Sequence, residues 1–238
     1  MKTIGLLGGM SWPSTIEYYR IINEEVTRRR GGLHSARILL YSVDFGEIER
    51  MQRLGQWEAA GERLAEAARA LERAGADFLL ICAGTMHKVA QSVRQAIRIP
   101  LVHVADVTAE KIRSAGLHCV GLLGTRYTME QDFLKRRFSE SGLNIVIPRE
   151  EERKMVHRII FEELCKGVFL PHSRSLMSDI MSRMADRGAE GVILGCTEIS
   201  LLVPPQDAPL PVFDTTVIHA VSAAEMALEA DFQGDRPR

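Results

Sequence analysis

Ala189-Glu190-Gly191-Val192-Ile193-Leu194-Gly195-Cys196-Thr197-Glu198 is an apolar run that stops abruptly in a glycine, a thiol, a hydroxyl and a carboxylate. The run has the length and composition of a short buried strand. In an open α/β sheet, groups just beyond a strand's carboxyl end line the crevice where ligands bind. Cys196 is therefore the first candidate for chemistry.

A second copy of the pattern lies upstream. Arg73-Ala74-Gly75-Ala76-Asp77-Phe78-Leu79-Leu80-Ile81-Cys82-Ala83 aligns without a gap on Asp186-Arg187-Gly188-Ala189-Glu190-Gly191-Val192-Ile193-Leu194-Gly195-Cys196. Each copy reads as a helix end, a glycine turn and a buried strand. Ile4-Gly5-Leu6-Leu7-Gly8-Gly9 is answered in the same way by Val120-Gly121-Leu122-Leu123-Gly124-Thr125. The chain thus reads as two related α/β halves facing one another. In that register the counterpart of Cys196 is Ala83.

A chain of 238 residues with 46% hydrophobic content supports one large domain or two small ones, and the repeat favours two. Thirty Lys and Arg balance 31 Asp and Glu, and no basic tract is studded with aromatics, so nucleic acid is not an expected partner. The basic cluster Arg28-Arg29-Arg30 reads as a helix end closing into Gly31-Gly32. No apolar run reaches the ~20 residues a bilayer span needs, and the amino terminus lacks a signal-peptide pattern, so no membrane partner and a cytoplasmic location are expected. Cys82, Cys119, Cys165 and Cys196 are widely spaced, which predicts reduced thiols, no metal knuckle and no disulfide scaffold.

In the first half, strands are expected over Lys2 to Leu7, Arg37 to Val43, Phe78 to Cys82 and Ile99 to Val102. Gly8-Gly9 make the turn after the first, and Ser11 or Ser14 can cap the following helix, with Pro13 in its first turn. Gly9, Met10 and Ser11 offer backbone N–H groups and a hydroxyl to a small anion, or simply a tight turn. The glycine spacing matches a dinucleotide fingerprint only faintly, so no nicotinamide cofactor is implied. Phe45 to Trp57 reads as a loop over the strand ends with short helical parts, and Gln52 within it is a binding candidate. An amphipathic helix follows from Glu58 to Ala74. Alternation along the third strand turns Cys82 into the core if Ala83 faces the cleft. Gly84 and Thr85 can hold an oxyanion or carboxylate, and His87 is either a base or a helix-start residue.

In the second half, the strands are His118 to Leu123, Asn144 to Ile147, the run before Cys196, and Leu210 to Phe213. Thr125 and Thr128 are substrate hydroxyls or N-caps, Tyr127 to Ser141 is one helix, and Lys166 either complements a helix terminus or reaches the cleft. Thr197 and Glu198 extend the polar end that Cys196 begins and are substrate-binding candidates. A last helix from about Thr215 returns toward the first half, and Asp231 to Arg238 reads as a frayed tail. The expected lobes are therefore residues 1–103, with helix 215–230 packing back on them, and residues 104–214.

Two opposed thiols at such strand ends could remove a proton from one face of a carbon acid and return one to the other, with thiol pKa values lowered by nearby helix amino ends. This sequence supplies only one of them. Gly5-Leu6-Leu7-Gly8-Gly9-Met10-Ser11-Trp12, Thr85-Met86-His87-Lys88, Leu122 to Met129, Gly195-Cys196-Thr197-Glu198 and Phe213-Asp214-Thr215-Thr216 together resemble the aspartate/glutamate racemase family. That superfamily is cofactor-independent and includes glutamate racemases, hydantoin racemases, maleate isomerases and arylmalonate decarboxylases. By motif the chain resembles and stands close to the bacterial broad-specificity Asp/Glu racemases.

The resemblance implies an α/β fold of two pseudo-symmetric three-layer lobes, each with a four-stranded mostly parallel sheet. It also implies a homodimer, no cofactor, and racemisation of a small amino acid or dicarboxylate. Cys196 corresponds to the family's second catalytic cysteine, and Ala83-Gly84-Thr85 stands where Cys-Asn-Thr is usual. Alanine leaves no acid or base there, so Thr85, a water or a shifted Cys82 would have to substitute. The departure also resembles the decarboxylase branch, which keeps the second cysteine and has a small residue at the first position. A protein that binds an amino acid or dicarboxylate without efficient turnover is the third reading.

Overall fold

The structure, a computed structural model, describes residues 1–232, so residues 233–238 of the expected tail lie outside the described residues. The chain divides into two compact units, Met1–Val104 with the chain from His219 onward, and Ala105–Ile218.

The first unit runs β1 (Ile4–Gly8), α1 (Trp12–Arg30), β2 (Ile38–Ser42), α2 (Phe45–Arg53), α3 (Trp57–Arg73), β3 (Phe78–Ile81), a 3₁₀ turn (Thr85–Val89), α4 (Ala90–Ala96) and β4 (Leu101–Val102). Its sheet has the order β2-β1-β3-β4, with every pairing parallel and Ile4 opposite both Ile38 and Phe78. All residues of β1 and β3 are buried, so the two central strands are covered on both faces, as a parallel sheet requires. Leu64, Ala67, Ala68 and Leu71 form the buried face of the amphipathic helix α3 and pack with Leu7, Leu79 and Ile81. At the end of α1, Glu25 is held down to about 2, first by its hydrogen bond to Arg28, so the basic cluster closes its own helix into Gly31.

The second unit begins within α5 (Val104–Ser114) and repeats the arrangement. It holds β5 (Cys119–Leu123), α6 (Arg126–Glu130), α7 (Asp132–Glu140), β6 (Asn144–Val146), α8 (Glu150–Glu162), α9 (Pro171–Ala185), β7 (Gly191–Leu194), α10 (Thr197–Leu202) and β8 (Val212–Asp214). Its sheet order is β6-β5-β7-β8, again all parallel. The two units are thus pseudo-symmetric α/β lobes with four-stranded sheets of the same topology. The last helix, α11 (Thr215–Phe232), starts in the second unit and continues in the first, where Lys2 N–H donates to Ala227 O at 2.9 Å and Arg29 pairs with Glu225.

Three local expectations need correction. Within the stretch expected to include a loop with short helical parts, Phe45–Arg53 is one regular helix and the loop is confined to residues 54–56, because Asp44 accepts from Gly46 N–H at 2.9 Å and Ile48 and Gln52, one turn apart, bury one face. The single helix expected over Tyr127 to Ser141 is broken at Gln131, whose extended backbone ends α6 and starts α7. Ser11 occupies the N-cap position of α1 but makes no side-chain cap bond there.

Candidate active site

In each unit the candidate residues collect beyond the carboxyl ends of the two central strands. Ala83 and Cys196 occupy matching places, each two residues past its strand's last residue, Ile81 or Leu194. This correspondence holds within each lobe's own topology.

In the first unit, β1 runs into a tight loop. Gly9 has φ of +89°, and a Cβ there would lie 2.3 Å from Val43 O, so only glycine lets the loop close over the end of β2. Gly9 N–H donates to Thr15 Oγ1 at 2.9 Å, and Thr15 Oγ1 donates to Ser11 O at 3.0 Å. That corrects the expectation that the Gly9 amide is open to a ligand, since the hydroxyl of α1 already takes it. Met10 and Ser11 are buried, and the hydroxyls of Ser11 and Ser14 lie 3.2 Å apart.

At the neighbouring strand end, Cys82 is buried in the core and its thiol is pushed up by burial, which suits an inert cysteine. Ala83, Gly84 and Thr85 are half-buried. Gln52 is buried with its amide donating to Met86 Sδ at 3.0 Å, which places it against the turn after Ala83. His87 is buried and engages Ala83 O through Nδ1 at 3.0 Å and Val104 N–H through Nε2 at 3.3 Å. Both ring nitrogens are therefore in use, which argues against the general-base reading.

In the second unit, Gly195 N–H donates to Leu123 O at 2.7 Å, and a Cβ on Gly195 would lie 3.1 Å from that same oxygen. Glycine thus lets the chain hug the end of β5 before Cys196 turns into α10. Thr125 is buried as the N-cap of α6, accepting from Thr128 N–H at 3.3 Å. Thr197 Oγ1 and Thr216 Oγ1 lie 2.7 Å apart, and Thr215 Oγ1 donates to Leu194 O at 2.8 Å. Lys166 is exposed at the end of a 3₁₀ turn that Gly167 closes in the left-handed conformation.

The central feature is a thiol–carboxylate pair. Cys196 Sγ donates to Glu198 Oε2 at 2.9 Å, and Glu198 is only 6% exposed. Burial first, then the Glu198 charge and the neighbouring Cys165, pushes the Cys196 thiol well above its ordinary value. Burial and Glu198 likewise push Cys165 up to about 12. This overturns the expectation of thiols lowered by a helix amino end, because the carboxylate and desolvation outweigh the six-residue α10. Sequence reasoning missed Cys165, whose 31-residue separation from Cys196 gives no motif, and it missed the pairing of Thr216 with Thr197.

Among the described residues, no group of three His, Cys, Asp or Glu side chains is placed to hold a metal ion, and no helix is long and apolar enough to cross a membrane. The sequence profile of the Asp/Glu/hydantoin racemases matches residues 7–223. The chain belongs to this family. A candidate Asp/Glu racemase from Yersinia pestis is 50% identical, with a TM-score of 0.91 over 96% of this chain and 100% of its own. An aspartate racemase homologue from Pyrococcus horikoshii is 38% identical, with a TM-score of 0.83 and the same coverage. A broad-specificity amino-acid racemase from Bacillus subtilis is 22% identical over 66% of this chain and 68% of its own length.

Proposed function

We propose that this family member is a cofactor-independent isomerase of small acidic amino acids, aspartate or glutamate, with Cys196 as its principal proton-transfer residue. The observation that carries the reading is the Cys196–Glu198 hydrogen bond at the end of β7. Glu198 accepts the thiol proton, and the thiolate so formed removes the substrate's α-proton. Return of a proton from the same thiol restores the starting configuration, and Glu198 gives its proton back. This assigns Glu198 to the thiol first, beside the substrate-binding part the sequence suggested.

Inversion requires a proton for the opposite face of the carbanion. The corresponding strand end offers Ala83, which has none, so the chain exchanges α-protons faster than it inverts them. Within the first unit Thr85 and the backbone at Met10, Ser11 and Gly84 are the proposed donors to a substrate carboxylate, with Gly9 and Gln52 shaping that unit's loops, and within the second unit Thr125, Thr197 and Lys166 are the proposed donors. Cytoplasmic location and a homodimer complete the reading.

Ala83 also favours a second reading, a one-cysteine decarboxylase in which Cys196 protonates the carbanion left by CO₂. The test incubates each enantiomer of aspartate and glutamate in deuterated water and follows α-deuteration and optical rotation, with an arylmalonate as control. Deuteration outrunning inversion is the expected result. Decarboxylation of the arylmalonate with no α-deuteration of aspartate or glutamate promotes the second reading, and neither activity leaves the chain a binder of such acids.

A further inference from the structure

His87 lies where three parts of the first unit meet. Its Nδ1 is 3.0 Å from the carbonyl oxygen of Ala83, and its Nε2 is 3.3 Å from the amide of Val104, the first residue of α5 and the unit's last before the chain crosses into the second unit. A backbone amide can only donate and a carbonyl can only accept. Nε2 is therefore the bare acceptor and Nδ1 carries the proton, so both contacts require one neutral tautomer.

A second histidine repeats the logic where the chain returns to this unit. His219 Nε2 is 3.0 Å from Val102 O and must donate, which leaves Nδ1 to accept from Tyr18 Oη at 2.9 Å. The rings of His87 and His219 lie 5.8 Å apart, and His103 stands edge-on to His87 at 4.6 Å. Residues 102 to 104 and 219, on either side of the two crossings, are thereby tied to the turn that follows β3.

We propose that His87 is a positioning residue: its Nδ1–H group holds the Ala83 carbonyl, and the Val104 amide holds the ring, so the Ala83-Gly84-Thr85 edge keeps the orientation in which the Gly84 amide and the Thr85 hydroxyl align the substrate for proton transfer. The functional part of this inference rests on the proposed isomerase reading. Ala83 and Gly84 precede Thr85, so a rotation of the 83–84 peptide would move the whole Ala83-Gly84-Thr85 edge.

Two substitutions separate the contacts. In His87→Asn the amide nitrogen takes the place of Nδ1 and keeps the donor to Ala83 O, but nothing accepts from Val104. In His87→Gln the amide reaches the place of Nε2 and can accept from Val104, but the donor to Ala83 is lost. The α-deuteration of aspartate and glutamate is measured for the full-length protein and both variants, alongside thermal unfolding and long-range proton–nitrogen spectra of the imidazoles. We expect the Nδ1–H tautomer in the wild type, a kcat within about threefold of wild type for Asn, and a loss of about tenfold or more for Gln with KM little changed.

Equal kcat for two folded variants, or an Nε2–H tautomer, overturns the proposal. If the wild type deuterates neither acid, the isomerase reading fails by itself. The Gly84 amide resonance then decides on positioning: a shift in Gln but not in Asn upholds the tether, and the same spectrum in both removes it. If Gln does not fold, the tautomer and the Asn variant's resonance decide, and a Gly84 shift in Asn overturns the proposal.

Discussion

Cys196 and Glu198 form a donor–acceptor pair at 2.9 Å in which the carboxylate raises the thiol's pKa and is also placed to receive its proton. In the proposed mechanism the two effects oppose each other in the resting state and cooperate during proton transfer. A permanently ionised thiolate at half-buried Cys196 beside this buried carboxylate would be a like-charge pair with little water to screen it, which is costly. Resting as thiol and carboxylate avoids that repulsion while keeping the proton's acceptor within reach.

Removing the carboxylate's charge therefore lowers the Cys196 pKa. In Glu198→Gln the midpoint of Cys196 alkylation by iodoacetamide should move to lower pH, yet stay above the ordinary thiol value because burial, the largest cause, remains. α-Proton exchange should fall in the same variant, since the thiol proton loses its acceptor. Peptide-level mass spectrometry across pH reads the alkylation, and an unmoved or raised midpoint would show that the two groups do not interact as described.

Cys196→Ser should keep the fold and lose most of the α-deuteration, on the order of a hundredfold, because a serine hydroxyl is a far weaker proton-transfer group at this site. A circular dichroism melt checks the fold, and undiminished exchange would remove Cys196 from the mechanism.

Ala83→Cys should raise inversion by at least about tenfold with KM changed less than about twofold, since the new thiol acts in the transition state more than in binding. Comparing the inversion-to-deuteration ratio before and after substitution isolates the effect. Efficient inversion by the wild type with no gain from the cysteine would end the pairing of positions 83 and 196.

Gly9→Ala and Gly31→Ala test backbone demand at two positive-φ positions. Both need the conformation that favours glycine, but a Cβ on Gly9 meets Val43 O at 2.3 Å while one on Gly31 meets nothing within 4 Å. Gly31→Ala should cost about 1 kcal/mol and Gly9→Ala well over about 2 kcal/mol. Urea unfolding measures both, and equal losses would contradict the crowding at Gly9.

The lobes were readable because the apolar runs ending at Ile81 and Leu194 are short, complete and followed by polar residues at the same offset. The place of Cys196 just past its strand end was readable for the same reason. The full length of α2 was not, because its sequence is mostly polar and only Ile48 and Gln52 are buried, with Phe45 and Met51 packed part-buried beside the core. The lowered-thiol expectation failed because sequence shows a helix start after Cys196 but not the rotamer that brings Glu198 back onto the sulfur. His87 could not be resolved from its neighbours, since its partner Val104 is 17 residues away, and the Tyr18–His219 contact spans 201 residues.

His219 gives the fold a definite response to acid. The ring is fully buried, and burial, followed by the nearby His87, lowers its pKa to about 3 from the ordinary 6.5, although the Val102 carbonyl partly opposes this. The unfolded chain therefore binds a proton below pH 6.5 that the native chain refuses until about pH 3. Stability contributed by keeping this ring neutral is fully present above pH 6.5 and is lost as pH falls toward 3. At about 1.4 kcal/mol per pH unit, the loss attributable to this one group reaches roughly 3 kcal/mol by pH 4.5. His219→Gln keeps an amide that can donate to Val102 O but cannot take up the proton. Its urea midpoint should start below the wild type at pH 7 and decline less steeply between pH 6.5 and 4.5. Parallel decline of the two proteins would mean that His219 is already charged in the native state, and the tautomer drawn from its contacts with Tyr18 and Val102 would have to be abandoned.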